Sequence, residues 1–462
     1  VTRRWRLIAT GALALWPAAA GAQSTVPPPL TLNDAIQLAA QHYPALRESR
    51  ARAQAAEEGI AVARAAYLPR VDLVWQENRA THNNIFGLLL PQAAVPGISG
   101  PVQGTRSFDS VWGSAAGGLL SWDAVDFGQR KAAVDSAHAQ SDQAKARDDL
   151  TTLDITAATA DAFLSALASD EAVRAAQANV DRLQVLARSV RTLVANQLRP
   201  GVDESRSNAE LAIAKNQLSR AVQTSELARA TLSGLIGRAP DRVELVSGRL
   251  AMLPSPDTAP AADVASHPAV RAELAQVEVV ASRERVLEHA YLPRVTLEAA
   301  LFGRGSGADV PGQARLGDGL WLQVPNWAVG ASVSFPALDI FPLRARRRVE
   351  LQNLLAEKAR YDQTVEDLTT QEARVRALMK AAIEIARNTP IERQAATEAE
   401  SRARARYENG LANITEVADA TRLLAQAESD DAIARLGVWR ALLVTAQVHG
   451  DLKPFVDQVI KP

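Results

Sequence analysis

The chain has 462 residues, enough for two to four domains or for one unit repeated. Hydrophobic residues make up 47% but aromatics only 5%, and alanine supplies much of the apolar content, which suits long, closely approaching helices better than an enzyme core. The net charge, 51 − 52 = −1, offers no basic surface for nucleic acid, and the absence of cysteine excludes disulfides, thiolate metal sites and an acylated cysteine.

Residues 1–22 have the order of a secretory signal: Arg3, Arg4 and Arg6, an apolar run, then Ala20-Gly21-Ala22 as a cleavage site. Cleavage would leave Gln23 first and take the net charge from −1 to −4 by removing three arginines. No later stretch offers eighteen consecutive apolar residues, so membrane attachment would have to come from a β-barrel. Residues 30–65 read as a helix starting at Thr31 or Asn33 and broken by Pro69. Residues 67–76 are then extended, with Val71, Leu73 and Trp75 alternating against Asp72, Val74 and Gln76. Residues 81–106 form a Gly- and Pro-rich loop containing the apolar patch 86–90, and residues 107–122 a second strand with blurred alternation.

No proline interrupts Asp126 to Asn196, which predicts a helix of about 105 Å at 1.5 Å per residue. Within it Leu150, Leu153, Ala157, Ala160, Leu164 and Leu167 recur at spacings of three and four, a coiled-coil seam rich in small residues. Pro200 and Gly201 enforce a turn, after which a second seam runs from Leu211 through Ala214 and Leu218 to Leu235.

The second half repeats the first. His42-Tyr43-Pro44-Ala45-Leu46-Arg47 matches Ser266-His267-Pro268-Ala269-Val270-Arg271, and Tyr67-Leu68-Pro69-Arg70-Val71 matches Tyr291-Leu292-Pro293-Arg294-Val295 at the same offset. The Pro-rich segment 254–260 is the seam, giving units 23–253 and 254–462, each read as helix, strand, strand, long helix, turn, helix. Val295, Leu297, Ala299 and Leu301 form a third amphipathic strand, residues 303–322 a second loop, and Trp327, Val329, Ala331, Val333 and Phe335 the cleanest strand. Gly410 ends the second long helix, and Leu424 through Ala427, Asp431 and Ala434 to Val448 repeat the seam.

Catalytic signals are missing. The six histidines lack metal spacing, no Gly-x-Ser-x-Gly occurs, and Gly303-Arg304-Gly305-Ser306-Gly307 follows a strand without opening a helix, so no cofactor or metal is expected. A periplasmic adaptor would carry one helical hairpin flanked by small β domains, and a stalk would lack paired amphipathic strands. Four strand candidates favour a membrane barrel over both.

Leu30-Thr31-Leu32-Asn33-Asp34-Ala35, the twice-used Tyr-Leu-Pro-Arg-Val, and Arg406-Tyr407-Glu408-Asn409-Gly410-Leu411 followed by Glu416-Val417 and Asp419-Ala420 resemble the TolC-like outer-membrane factor family. The resemblance spans nearly the whole mature chain. It implies a mainly α protein with a membrane β-barrel: a homotrimer in which four strands per subunit close a twelve-stranded barrel in outer-membrane lipid, continued by a helical barrel into the periplasm. It also implies a passive channel for efflux or type I secretion, with a periplasmic adaptor docked at the hairpin tips and an inner-membrane pump supplying energy. The adaptor would meet Leu198, Pro200 and Gly201 at one tip and Gly410, Leu411 and Ile414 at the other. Glu416 and Asp419 match the acidic gate positions. Ala412 stands where some members carry a gate arginine, so Arg199 or Arg206, beside Asp203 in the first tip, is expected to supply the cation.

Overall fold

In this computed structural model residues 29–81, 110–239, 244–254, 263–307 and 319–460 are described. The signal segment, the 86–90 patch and residues 255–260 of the seam lie outside them.

The expected helix 30–65 is two helices, α1 (Leu32–His42) and α2 (Pro44–Ala65). Thr31 closes a capping box: its hydroxyl accepts the Asp34 N–H at 3.2 Å, and the Asp34 carboxylate accepts the Thr31 N–H at 3.3 Å. Pro44 divides the segment, because the residue before a proline is sterically barred from the helical region; Tyr43 sits at φ −67, ψ 127. The second half repeats the device. His267 is extended before Pro268, and α5 (Pro268–His289) has the same 22 residues as α2.

α2 and α5 each turn directly into a strand. β1 (Arg70–Thr81), β2 (Ser110–Val125), β3 (Arg294–Ser306) and β4 (Val324–Ser334) form one antiparallel sheet in sequence order. The first strand begins three residues later than expected, at Arg70, because the residues before Pro69 finish the turn of α2. Gly303 to Ser306, expected in a loop, belong to β3, so the Gly-Arg-Gly-Ser-Gly run is mainly strand. Pairing places Val71, Leu73 and Trp75 beside Leu120, Gly118 and Ala116, then Ala299, Leu301 and Gly303, then Val329, Trp327 and Pro325. This apolar face lies open, with Leu73 87% and Trp327 77% exposed. The opposite face carries Asp72, Gln76, Thr296, Glu298, Asn326 and Ser332. Gly117 is required on that side, since a Cβ there would lie 2.3 Å from the Leu301 carbonyl oxygen and 2.4 Å from Phe302 Cβ. Among the described residues β1 pairs only with β2 and β4 only with β3, so the sheet ends in two open edges there.

Below the sheet run α3 (Gln129–Ala195, 67 residues) and α6 (Ile340–Glu408, 69 residues), each about 100 Å long, returning as α4 (Gly201–Ile236) and α7 (Ile414–Val448). None of the described helices is long and apolar enough to cross a membrane. Asp126 fastens the β2–α3 corner: its carboxylate accepts the N–H of Gly128 at 3.2 Å, the N–H of Arg130 at 2.7 Å and the Arg130 guanidinium at 2.8 Å. The α3 seam is buried from Leu153 to Leu167, and the α7 seam from Leu424 to Ala441. Along the α4 seam only Ala214, Ser225 and Leu232 are fully buried, because α4 packs mainly on α3 and leaves its other side open. The largest core joins Phe163, Leu232, Ile236, Trp439 and Phe455 midway down the molecule, closed by α8 (Lys453–Ile460), a helix too short to show a seam in sequence. Trp439 meets Phe455 edge to face at 6.2 Å and donates to the Met252 carbonyl at 2.8 Å.

His267 pins the second half to this core. Its Nδ1 accepts the Ala269 N–H at 3.0 Å, which caps α5, and its Nε2 lies 3.1 Å from the Gln447 carbonyl oxygen at the end of α7. Both contacts together require the neutral ring protonated at Nε2. Burial pushes the His267 pKa below its ordinary 6.5, outweighing the raising effects of the Gln447 carbonyl and Asp154. A group with a depressed histidine pKa stabilises the fold above 6.5, and that contribution is lost as pH falls from 6.5 towards the folded value. Asp154, whose carboxyl burial raises, acts with the opposite sign. Thermal midpoints measured from pH 7.5 down to 5.5 should therefore fall more steeply for wild type than for His267→Asn, which keeps a capping side chain; equal slopes would exclude this role for the ring.

Candidate functional site

At the end far from the sheet, both long helices stop in the same way. Leu198 N–H donates to the Leu193 carbonyl at 2.9 Å and Gln197 N–H to Val194 at 3.0 Å; Leu411 N–H donates to Arg406 at 2.8 Å and Gly410 N–H to Tyr407 at 3.0 Å. These are paired Schellman closures, which need a left-handed residue just past the helix. Gly410 supplies it at φ +78, and Gln197 adopts φ +60 at the equivalent place despite its side chain. After each turn a new helix starts, behind Pro200 in the first tip and behind Asn413 in the second, whose Oδ1 accepts the Glu416 N–H at 3.0 Å.

The two tips are tied together within the subunit. Tyr407, almost wholly buried, donates its hydroxyl to Asp203 Oδ2 at 3.1 Å. The Arg199 guanidinium stacks 4.3 Å from the Tyr407 ring centroid and donates to the Tyr407 carbonyl. Burial, with the Asp203 charge beside it, pushes the Tyr407 pKa up to about 12, so the phenol remains a donor at ordinary pH. Val190, Ala214, Ala412, Ile414 and Val417 pack around this contact.

The structure sorts the sequence candidates into two groups. Leu198, Pro200, Gly201, Gly410 and Leu411 are exposed, with Leu198 68% and Leu411 70% open, whereas Ile414 is buried under the turn. Glu416 and Asp419 are both exposed on the first turns of α7, and Arg206 is exposed on α4 with no ion pair among the described residues. Asp203 and Arg199, by contrast, are engaged with Tyr407. Sequence reasoning did not assign a role to Tyr407, nor to Arg422, which reaches Asp419 at 3.4 Å and Glu210 of α4 at 3.0 Å. The i, i+3 spacing of Asp419 and Arg422 on α7 could have revealed the first of those pairings. The arrangement is a gathering of fixed charges around a packed turn, without a nucleophile–base pair; among the described residues no cluster could hold a metal.

The sequence model described as outer membrane efflux protein matches residues 35–238 and 263–443. Protein CyaE of Bordetella pertussis is 27% identical over 359 residues, which are 72% of this chain and 68% of that protein. Among solved structures, the CmeC outer membrane channel of Campylobacter jejuni superposes with a TM-score of 0.74 at 14% identity, covering 91% of this chain and 85% of the other. The outer membrane protein VceC of Vibrio cholerae gives 0.70 at 19% identity, covering 91% and 96%. These two likenesses establish the fold.

Tyr407→Phe deletes one hydroxyl and leaves the buried Asp203 carboxylate without that donor, a loss of about 1–3 kcal/mol at the tip. Amide exchange around residues 196–203 and 407–417 should accelerate correspondingly. In wild type the raised phenol pKa makes this contribution fully present below pH 10 and lost between 10 and about 12, a loss absent from Tyr407→Phe. Unchanged exchange in the variant would show that the contact does not hold the tips.

Proposed function

The chain belongs to the outer membrane efflux protein family, and from that premise we propose that it works as a homotrimeric channel, fed from the periplasm by an adaptor and an inner-membrane pump. Its place is the outer membrane, with the long helices extending into the periplasm, and its family consists of conduits rather than enzymes. The observation that carries the assembly is the four-stranded sheet with an open apolar face and two unpaired edges. Four strands fall short of the roughly eight that a small barrel needs, and three copies supply 3 × 4 = 12. The two segments matched by the family are read as the repeats 23–253 and 254–462. A periplasmic adaptor or stalk is the poorer reading, because neither needs an apolar strand face.

Transport is passive conduction of efflux or type I secretion cargo through a water-filled conduit. The pump supplies the energy, and the channel supplies a closable end. Leu198, Pro200, Gly201, Gly410 and Leu411 offer the adaptor two similar tips per subunit, with Ile414 supporting the second from beneath. Glu416 and Asp419 recur three times around the trimer axis and form the acidic constriction, partly balanced by Arg422. Arg206 provides an exposed cation nearby. Asp203, Tyr407 and Arg199 form the latch that holds both tips of a subunit in the closed position.

Single-channel recording in planar bilayers tests the constriction. Glu416→Ala combined with Asp419→Ala should lose cation selectivity and weaken block by multivalent cations, with conductance otherwise retained. Selectivity and block equal to wild type would remove both carboxylates from the pore.

A further inference from the structure

The corner between β4 and α6 combines features that the channel reading leaves unused. β4 ends at Ser334, and Phe335, Leu338 and Phe341 follow, all exposed, Leu338 by 80%. Phe335 continues the alternation of the apolar face of β4, so these side chains extend the lipid-facing band downwards. Three arginines come next, Arg344, Arg346 and Arg348, exposed and without a hydrogen bond or ion pair among the described residues. Elsewhere in α6 many arginines have carboxylate partners: Arg376 with Glu372, Arg402 with Glu398, Arg404 with Glu400. Arg347, inside the cluster, is turned to α5, where it pairs with Glu284 and with Glu288 at 3.3 Å.

Helix geometry divides the free three. Phe341, Arg344 and Arg348 lie at i, i+3 and i+7 and share one face, whereas Arg346 lies about 200° from Arg344 on the other side. Along the axis Arg344 and Arg348 are about 6 and 12 Å from the start of α6. The headgroup layer below the hydrocarbon is about 5–8 Å deep. Side chains on a helix lean towards its N-terminus, here towards the sheet, so both guanidinium groups reach back into that layer while their stems cover apolar surface.

Resting on the barrel reading above, we infer that Phe341, Arg344 and Arg348 form a headgroup site for anionic phospholipid of the periplasmic leaflet. Phe341 enters the acyl boundary beside Leu338, and the two guanidinium groups take the phosphate oxygens. The face is continuous with the apolar strand band, and its charge complements the ligand. The site fixes the depth of the barrel at the side where the long helices lever against it.

Native mass spectrometry of the full chain in detergent tests this, with phosphatidylglycerol and phosphatidylcholine added in equal amounts. Wild type should retain phosphatidylglycerol preferentially. Arg344→Gln with Arg348→Gln should cut that retention by about tenfold or more, and Arg346→Gln should leave it within about twofold of wild type. Retention unchanged in the double variant would overturn the site, and so would an equal loss in Arg346→Gln, which would make the effect one of bulk charge. The subunit mass reads the assembly separately: monomers that keep an Arg344- and Arg348-dependent preference would support the site while overturning the trimer.

Discussion

Hydrogen bonding along the two open strand edges is the constraint on which the rest of the molecule depends. An N–H or C=O facing hydrocarbon has no water to replace a missing partner, and each unmet group costs several kcal/mol. β1 and β4 each present such a row beside an apolar face already committed to lipid. A single copy cannot curl four strands into a closed wall, which is why the proposed assembly joins these edges to those of other copies. In that proposed assembly the sheet fixes how subunits stand around the axis, and the helices that leave it inherit that arrangement.

The helices are built for this inheritance. α3 and α6 leave the sheet through short corners, one of them clamped by the Asp126 carboxylate on Arg130, so strand direction passes into helix direction with little slack. Small seam residues such as Ala157, Ala160, Ala427 and Ala434 let α3 and α7 pack closely with their neighbours. The ionic contacts between helices are partly exposed, as in Arg182 with Glu428 at 2.6 Å, and contribute more to register than to stability. At the far end the Asp203–Tyr407–Arg199 contact joins the two hairpins of the subunit.

Local chemistry was readable in the sequence, and long-range pairing was not. The β4 alternation from Trp327 to Phe335 announced its phase because one face must be apolar, and the Leu153 to Leu167 seam announced a packed helix for the same reason. Pro44 is visible as well, yet the apolar pattern runs through it and reads as one helix where Tyr43 in fact leaves the helical region and two occur. The first strand reads as starting early because Tyr67 and Leu68 have strand-like side chains but finish the turn after α2. Within the site, Gly410 and Pro200 marked the tips through backbone preference alone. Tyr407, the partner of Asp203, and Glu210, the partner of Arg422 on the other helix, lie 204 and 212 residues away in sequence, and no periodicity links them. The sequence therefore places Asp203 and Arg199 at the tip without revealing Tyr407 as the partner of both.

Because the chain has no cysteine, the edge pairing can be tested with introduced ones. Leu73→Cys in β1 would be combined in turn with Trp327→Cys, Val329→Cys and Ala331→Cys in β4, all on the same face of the sheet. Oxidation of the membrane-embedded protein, followed by denaturing electrophoresis, reads the connectivity. The account predicts that at least one pairing gives covalent species of two and three subunits and none larger, since the ring closes at three. Only single-chain species in every pairing, or ladders continuing beyond three, would contradict it.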